Sequence, residues 1–289
     1  FVSQRRQARH LLEALELSEA VVTPANTRVA HFTDTFFDDN RIAHTLQQQL
    51  AAAQTLGAPY YVVTCCAQAQ RYVEGLHAFA PVGVWKLPEC PDMELLAPPF
   101  LTLLQFCYEE KFTHLHVSTP GPLGLAALGI ARILKLPISG SYHIPLPQYG
   151  RKLTEDSHVE ALLWKGMIMF YEQLDSVFAP THAAARELIK RGVTSDKITL
   201  VSQGVDTDRF HPKHKDAERQ ARYAANAEEV LFLYVGRVAK EKALDVLAEA
   251  FAALIDQGVG AQLLVAGEGP YRGEMEKRLE HYPVRFTGR

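Results

Sequence analysis

Cysteine, tryptophan and net charge are all scarce in this sequence. Four cysteines in 289 residues cannot form a disulfide scaffold. Cys65 and Cys66 are adjacent while Cys90 and Cys107 stand apart, which fits neither a zinc ribbon nor a C-x-x-C redox pair. A reducing, cytoplasmic setting is the resulting expectation. Thirty Lys+Arg against 33 Asp+Glu leave a formal charge of −3, without the basic excess of a nucleic-acid binder, so nucleic acid is not expected as a partner. A bilayer-spanning apolar run is missing too. The longest uncharged stretch, residues 112–131, contains His114, His116, Ser118 and the breaker Thr119-Pro120-Gly121-Pro122, so it reads as strand, turn and helix. The opening Phe1-Val2-Ser3-Gln4-Arg5-Arg6 has no initiator Met and no apolar core after its basic residues. No secretion signal is expected there, and the chain reads as part of something longer.

What the sequence does have is ordinary globular material, 47% hydrophobic and 22% charged, in a length that suggests two domains. Residues 4–17 carry a helical pattern with Leu11, Leu12 and Leu15 on one side. Residues 1–27 are therefore set apart as a tail or the end of an upstream domain. From Arg28 onward, short β-rich runs alternate with helical patterns: Val29-Ala30-His31-Phe32, then a helix over about 42–56, then Tyr60-Tyr61-Val62-Val63-Thr64. A proline-rich, less regular stretch follows. The rhythm resumes with a helix near 101–110, His114-Leu115-His116-Val117, a helix over 123–134, and a strand ending at Tyr142-His143. A helix over 159–174, Val177-Phe178-Ala179, a helix over 182–191 and Ile198-Thr199-Leu200-Val201 complete this part. Near-continuous apolar strands joined by helices imply a parallel sheet covered on both faces. The first domain, 28–208, is thus expected to be doubly wound. A second, 209–289, contributes Leu231-Phe232-Leu233-Tyr234-Val235, a helix from about Lys242, the strand from Gln262 to Ala266, a helix from about Tyr271, and Val284-Arg285-Phe286. Three strands are few for such a domain, so it reads as incomplete.

The most informative segment is Gly236-Arg237-Val238-Ala239-Lys240-Glu241-Lys242, where a strand gives way to a helix. Helix amino-termini at the carboxyl ends of parallel strands offer unpaired N–H groups and a positive dipole end to an anion. Arg237 and Lys242 add mobile cations, and Gly236 lets a phosphate approach the backbone. A solvated charged loop is the plainer alternative.

Gly-Arg, then Glu-Lys, then an amphipathic helix resembles the nucleotide-sugar site of the retaining family 4 glycosyltransferases, especially bacterial lipid-directed glucosyl-, mannosyl- and sulfoquinovosyltransferases. Further segments resemble that family in order: Phe32-Thr33-Asp34-Thr35-Phe36; His116-Val117-Ser118-Thr119-Pro120-Gly121-Pro122-Leu123-Gly124; Ser141-Tyr142-His143, followed by Pro147-Gln148-Tyr149; and Ala179-Pro180-Thr181. Gly204-Val205-Asp206-Thr207-Asp208-Arg209-Phe210 is similar to the family's hinge, and Val265-Ala266-Gly267-Glu268-Gly269-Pro270-Tyr271 to the strand and turn that follow.

The resemblance implies an α/β architecture of the GT-B type, two Rossmann-like halves facing a cleft, the first binding acceptor and the second the nucleotide-sugar. Arg237, Lys242 and Gly236 would hold the donor diphosphate, with Gly267 and Gly269 in a donor-side turn. His143 resembles the histidine near the transferred sugar and is the catalytic candidate, although a histidine at a strand end is by itself more often structural. Asp34, Asn40, Arg41, Pro120 and Gly121 fall in the substrate loops. Cations and helix N–H groups would stabilise the leaving diphosphate, so no obligatory metal or other cofactor is expected. The implied partners are a nucleotide-sugar donor and a lipid or glycan acceptor, with peripheral contact at the inner face of the membrane.

Departures from the pattern bear on function. Asn40 is followed by Arg41 and Ile42 where the family usually has Asn-Gly-Val, so Arg41 could obstruct the donor phosphate or bind it. Gln203 stands for the usual Asn, and Ala243 for a common Gly. The family's paired glutamates would lie past Arg289, so this stretch alone is not expected to be fully active. A non-catalytic nucleotide- or sugar-binding module is the alternative. Other chemistries fit less well. Gly267, Gly269 and Gly273 imitate a dinucleotide fingerprint, but the third glycine is shifted and Pro270 intrudes. His114 with His116 and His211 with His214 lack a carboxylate or Cys spaced to complete a metal site. Trp164, Met167, Met169, Phe170 and Tyr171 mark a core helix, or a face for a membrane.

Overall fold

A computed structural model describes residues 27–288 apart from 39, 67–72, 88–89, 144–146, 148–155, 203, 217, 219–221 and 224–228. The amino-terminal helical pattern, Gln148, Tyr149 and Gln203 lie outside the described residues. Two compact units divide the chain, Phe1–Gln203 and Gly204–Arg289.

The first unit holds a seven-stranded parallel sheet in the order β3-β2-β1-β6-β7-β8-β9. Its strands are β1 (Val29–Thr33), β2 (Tyr60–Cys65), β3 (Leu76–Phe79), β6 (His114–Val117), β7 (Ile138–Ser141), β8 (Ser176–Ala179) and β9 (Ile198–Leu200). The chain runs outward from β1 to β3, then returns to the other side of β1 and continues outward to β9. The direction therefore reverses between β1 and β6, which pair directly, His31 beside His116. The loops leaving the carboxyl ends of such a pair diverge and open a crevice, the usual ligand position in a sheet of this kind.

Among the described residues five helices flank this sheet: α1 (Arg41–Leu56), α2 (Phe100–Glu109), α3 (Pro122–Leu134), α4 (Ser157–Glu172) and α5 (His182–Arg191). In α1, Ile42, Leu46, Leu50 and Ala53 recur at helical spacing and are buried, while Asn40 caps the start by accepting from Ala43 N at 2.9 Å. The buried side chains of α3 and α4 join β1, β6, β7 and β8 in one core that includes Phe32, Leu115, Ile130, Phe170 and Tyr171. Each fully buried side chain of this size contributes roughly 1.5–3 kcal/mol. On α4, Trp164, Met167, Phe170 and Tyr171 all point inward and only Met169 of that group is exposed. The core reading of this helix therefore holds for these four residues, which fill the space beneath it.

The proline-rich stretch holds more order than its sequence suggests. It supplies β3 at the sheet edge and an antiparallel hairpin of β4 (Gly83–Leu87) and β5 (Cys90–Ala97). The Trp85 ring lies on Gly83, where an added Cβ would come within 3.1 Å.

The second unit is a three-stranded parallel sheet, β10 (Val230–Val235), β11 (Ala261–Ala266) and β12 (Val284–Gly288), in that order. Helices α6 (Leu244–Asp256) and α7 (Arg272–Arg278) bury Leu244, Ala248, Phe251 and Met275 against Leu263 and Val265. The opposite face of β10 is bare, with Leu233 60% and Val235 71% exposed. The expected continuous helix from Lys242 is instead a 3-10 turn, Lys240–Lys242, followed by α6. The break is Ala243, whose φ of 52° and ψ of 43° are left-handed.

Candidate functional site

In the first unit the carboxyl ends of β1, β6 and β7 bring several expected residues together. Asp34 follows β1 and reaches across to α3, accepting from Leu123 N at 3.1 Å and from the Thr119 hydroxyl at 3.3 Å. Gly121, the N-cap of α3, has no side chain to do this, and Pro122 at the first helical position gives up no hydrogen bond. The carboxylate thus caps the helix from a neighbouring strand. A Cβ at Gly121 would fall 2.3 Å from Asp34 Oδ2, which explains the glycine sterically. Burial pushes the Asp34 carboxyl up to about 6, opposed by the Leu123 and Thr119 hydrogen bonds. Asp34 is therefore a loop organiser, with Thr119, Gly121 and Leu123 held against it.

Asn40 is committed to capping α1, leaving Arg41 exposed at its first position. His143 lies two residues past β7 and is half-buried. Burial first, and the charge of Arg41 second, lower its imidazole to about 4. At neutral pH it is an uncharged hydrogen-bonding group, suited to orient a hydroxyl. Arg41 and His143 are thus electrostatic neighbours.

Beneath this edge runs a polar row that the strand sequences hide. His31 Nδ1 hydrogen-bonds Tyr60 Oη at 2.7 Å and its Nε2 bonds Ser118 Oγ at 2.7 Å. His116 Nδ1 bonds Ser139 Oγ at 2.7 Å and its Nε2 bonds Ser141 Oγ at 2.8 Å, while His114 Nε2 shares Ser139 at 2.7 Å. The rings of His31 and His116 meet edge to face, with centroids 4.4 Å apart. Desolvation is the main cause lowering both imidazoles, His116 to about 3. A polar residue at the centre of a buried strand was the available signal. Its partners required the register His31, His116, Ser139 across three strands. Among the described residues no cluster of three or more His, Cys, Asp or Glu could hold a metal ion. Cys65 ends β2 buried, with its thiol raised to about 11 mainly by burial, which opposes nucleophilic or redox use.

In the second unit two loops at the carboxyl edge of β10 and β11 are stitched together. Gly236 N donates to Ala266 O at 3.0 Å, Val238 N to Glu268 O at 2.9 Å, and Tyr271 N to Val238 O at 3.0 Å. Side chains at the turn glycines would prevent this: a Cβ at Gly267 would lie 1.9 Å from Gly236 O, and one at Gly269 2.2 Å from Val238 O. Gly236 makes room for Tyr234, whose hydroxyl donates to Arg237 O at 2.7 Å. Arg237 and Lys242 are exposed on this rigid loop, and neither has an ion-pair partner among the described residues. Ala243 supplies no side-chain cap to α6, so its first-turn amides receive none from the N-cap residue. Two cations beside an uncapped helix start suit an anionic oxygen cluster.

The chain is thus an α/β protein in which a doubly wound parallel unit is followed by a second parallel unit with an anion-suited loop. Residues 40–209 match the model for Glycosyltransferase Family 4 and residues 215–287 that for Glycosyl transferases group 1. The chain belongs to Glycosyltransferase Family 4. It is 31% identical over 176 residues to the sulfoquinovosyl transferase SQD2 of Arabidopsis thaliana, covering 60% of this chain and 34% of that protein. It is 21% identical to the alpha-monoglucosyldiacylglycerol synthase of Streptococcus pneumoniae, covering 90% of this chain and 61% of that protein. The fold agrees with HepE of Anabaena, solved with UDP and glucose, at a TM-score of 0.63 and 13% identity over 91% of this chain and 69% of that one. These matches span less than two thirds of either curated relative's length.

Proposed function

We propose that the protein carrying this chain transfers a sugar from a nucleotide-diphosphate donor to a lipid hydroxyl with retention of configuration. The supporting observation is the loop from Gly236 to Lys242, fixed by its bonds to residues 266–271 and presenting Arg237 and Lys242 beside an uncapped helix. When the bond from the sugar to the diphosphate breaks, negative charge builds on the leaving oxygen. Preorganised cations and amides stabilise that charge as it forms, and this does not require a metal. His143, uncharged at neutral pH, would hydrogen-bond a hydroxyl of the transferred sugar. The lipid acceptor is supported by relatives named for sulfoquinovosyl and glucosyldiacylglycerol transfer. No helix among the described residues is long and apolar enough to cross a membrane. We place the enzyme peripherally at the inner face of the membrane because of the proposed lipid acceptor, which the relatives' names support.

The test supplies the complete protein with UDP- and GDP-sugars and with lipid and soluble acceptors, reading nucleotide release and the anomeric configuration of the product. An α-linked glycolipid is the expected outcome. Donor binding without turnover would instead make the protein a binding module.

A further inference from the structure

We propose that His116 and Tyr171 are positioning residues that set the place of His143 by clamping Ser141 between them; the catalytic part of this rests on the glycosyl-transfer reading above. Ser141 is the last residue of β7, and both of its polar groups that can accept are engaged from different elements. Its hydroxyl bonds His116 Nε2 at 2.8 Å, from β6. Its carbonyl accepts from the Tyr171 hydroxyl at 3.2 Å, from α4. His116 is itself fixed at the other nitrogen by Ser139 at 2.7 Å, and Tyr171 is 2% exposed in the core. The next residue is tethered as well: Tyr142 N donates to Phe178 O at 2.9 Å, and its ring packs edge to face on Tyr171.

The chain therefore leaves β7 with position and direction both determined, and His143 is the next residue after Tyr142. Two residues span at most about 7 Å, so His143 has little room to depart from where the clamp aims it. A hydroxyl buried against an imidazole adds little to stability that an apolar pair would not. It does fix one hydrogen-bonded arrangement at a site where displacements of about 1 Å cost about 100-fold in rate.

Histidine-ring NMR on this chain and transfer kinetics on the complete protein test the clamp together. Tyr171→Phe and Ser141→Ala are expected to shift the His143 ring signals. They should also lower kcat about ten-fold while leaving the donor KM within about two-fold. Ser141→Thr, which keeps the hydroxyl, should restore both. Tyr60→Phe removes a hydroxyl from His31 at the opposite end of the same polar row and should change neither. Unchanged His143 signals in folded Tyr171→Phe would overturn the proposal, as would an equal response in Tyr60→Phe. Should Ser141→Ala fail to fold, Tyr171→Phe decides, since it loses one oxygen only. Absence of any transfer by the unaltered complete protein would refute the functional reading, and the ring signals would still decide the clamp.

Discussion

Lowering the pH is expected to weaken the first unit through its buried imidazoles. His116 binds its proton at about 3 in the folded chain against 6.5 unperturbed. Between those values the unfolded chain takes up a proton that the native state refuses, so stability is fully present above about 6.5 and falls as pH drops. At about pH 5 the difference is about 1.5 pH units at about 1.36 kcal/mol each, or ~2 kcal/mol from this residue. His31 and His143 act with the same sign. Asp34, raised to about 6, acts oppositely, because its native carboxyl gains a proton before the unfolded one and so recovers about 1 kcal/mol on the way down to about pH 5. A comparison with His116→Asn removes the His116 contribution, and because the charge of His116 also helps to lower His31, the variant's His31 resists protonation less, which widens the difference in the same direction. Both tryptophans, Trp85 and Trp164, lie in the first unit, so their fluorescence during urea unfolding reports that unit alone. The unaltered chain should lose ~2 kcal/mol more than His116→Asn between about pH 7.5 and about pH 5. Equal losses would refute the assignment of an uncharged, desolvated His116.

Other substitutions test the remaining contacts. Arg237→Ala and Lys242→Ala should each weaken UDP or GDP binding by ~1 to 3 kcal/mol in calorimetry, the loss expected for one charge-assisted bond; unchanged affinity in both removes the diphosphate assignment. Gly267→Ala should lower the thermal midpoint of the second unit by several degrees, since its Cβ would meet Gly236 O at 1.9 Å, and circular dichroism would detect it. Asp34→Ala should cost the first unit ~1 kcal/mol by uncapping α3, measured by tryptophan fluorescence, whereas Asp34→Asn keeps an acceptor oxygen and should cost less.

Much of the fold is legible where one physical rule acts alone. His114-Leu115-His116-Val117 and the helix from His182 to Arg191 coincide with β6 and α5 because apolar periodicity and a capping Thr181 determine them locally. The hairpin of β4 and β5 is illegible for the opposite reason. Its prolines read as breakers, while its pairing depends on residues up to 14 apart, Gly83 opposite Ala97. The candidate site divides in the same way. The anion-suited loop shows itself through Gly236, Arg237 and Lys242, which are consecutive or nearly so. The row from Tyr60 to Ser141 does not, because strand register is a property of the assembled sheet.

Ala243 shows how a small departure in sequence acquires meaning from geometry. As a letter, alanine for a common glycine looks mild in an amphipathic segment, where it would even favour helix. The chain must nevertheless turn from the Lys240–Lys242 3-10 turn into α6, and it does so through a left-handed residue with φ 52°. For alanine that conformation costs roughly 1–2 kcal/mol, which glycine avoids at the expense of about 0.5–1 kcal/mol in unfolded-state entropy. Ala243→Gly is therefore expected to stabilise the second unit by about 0.5–1 kcal/mol, read by circular dichroism because that unit has no tryptophan. It should leave nucleotide affinity nearly unchanged, since Lys242 already occupies its place in the turn. Destabilisation by glycine would mean that residue 243 is helical, and that Lys242 belongs to α6 rather than to the loop that precedes it.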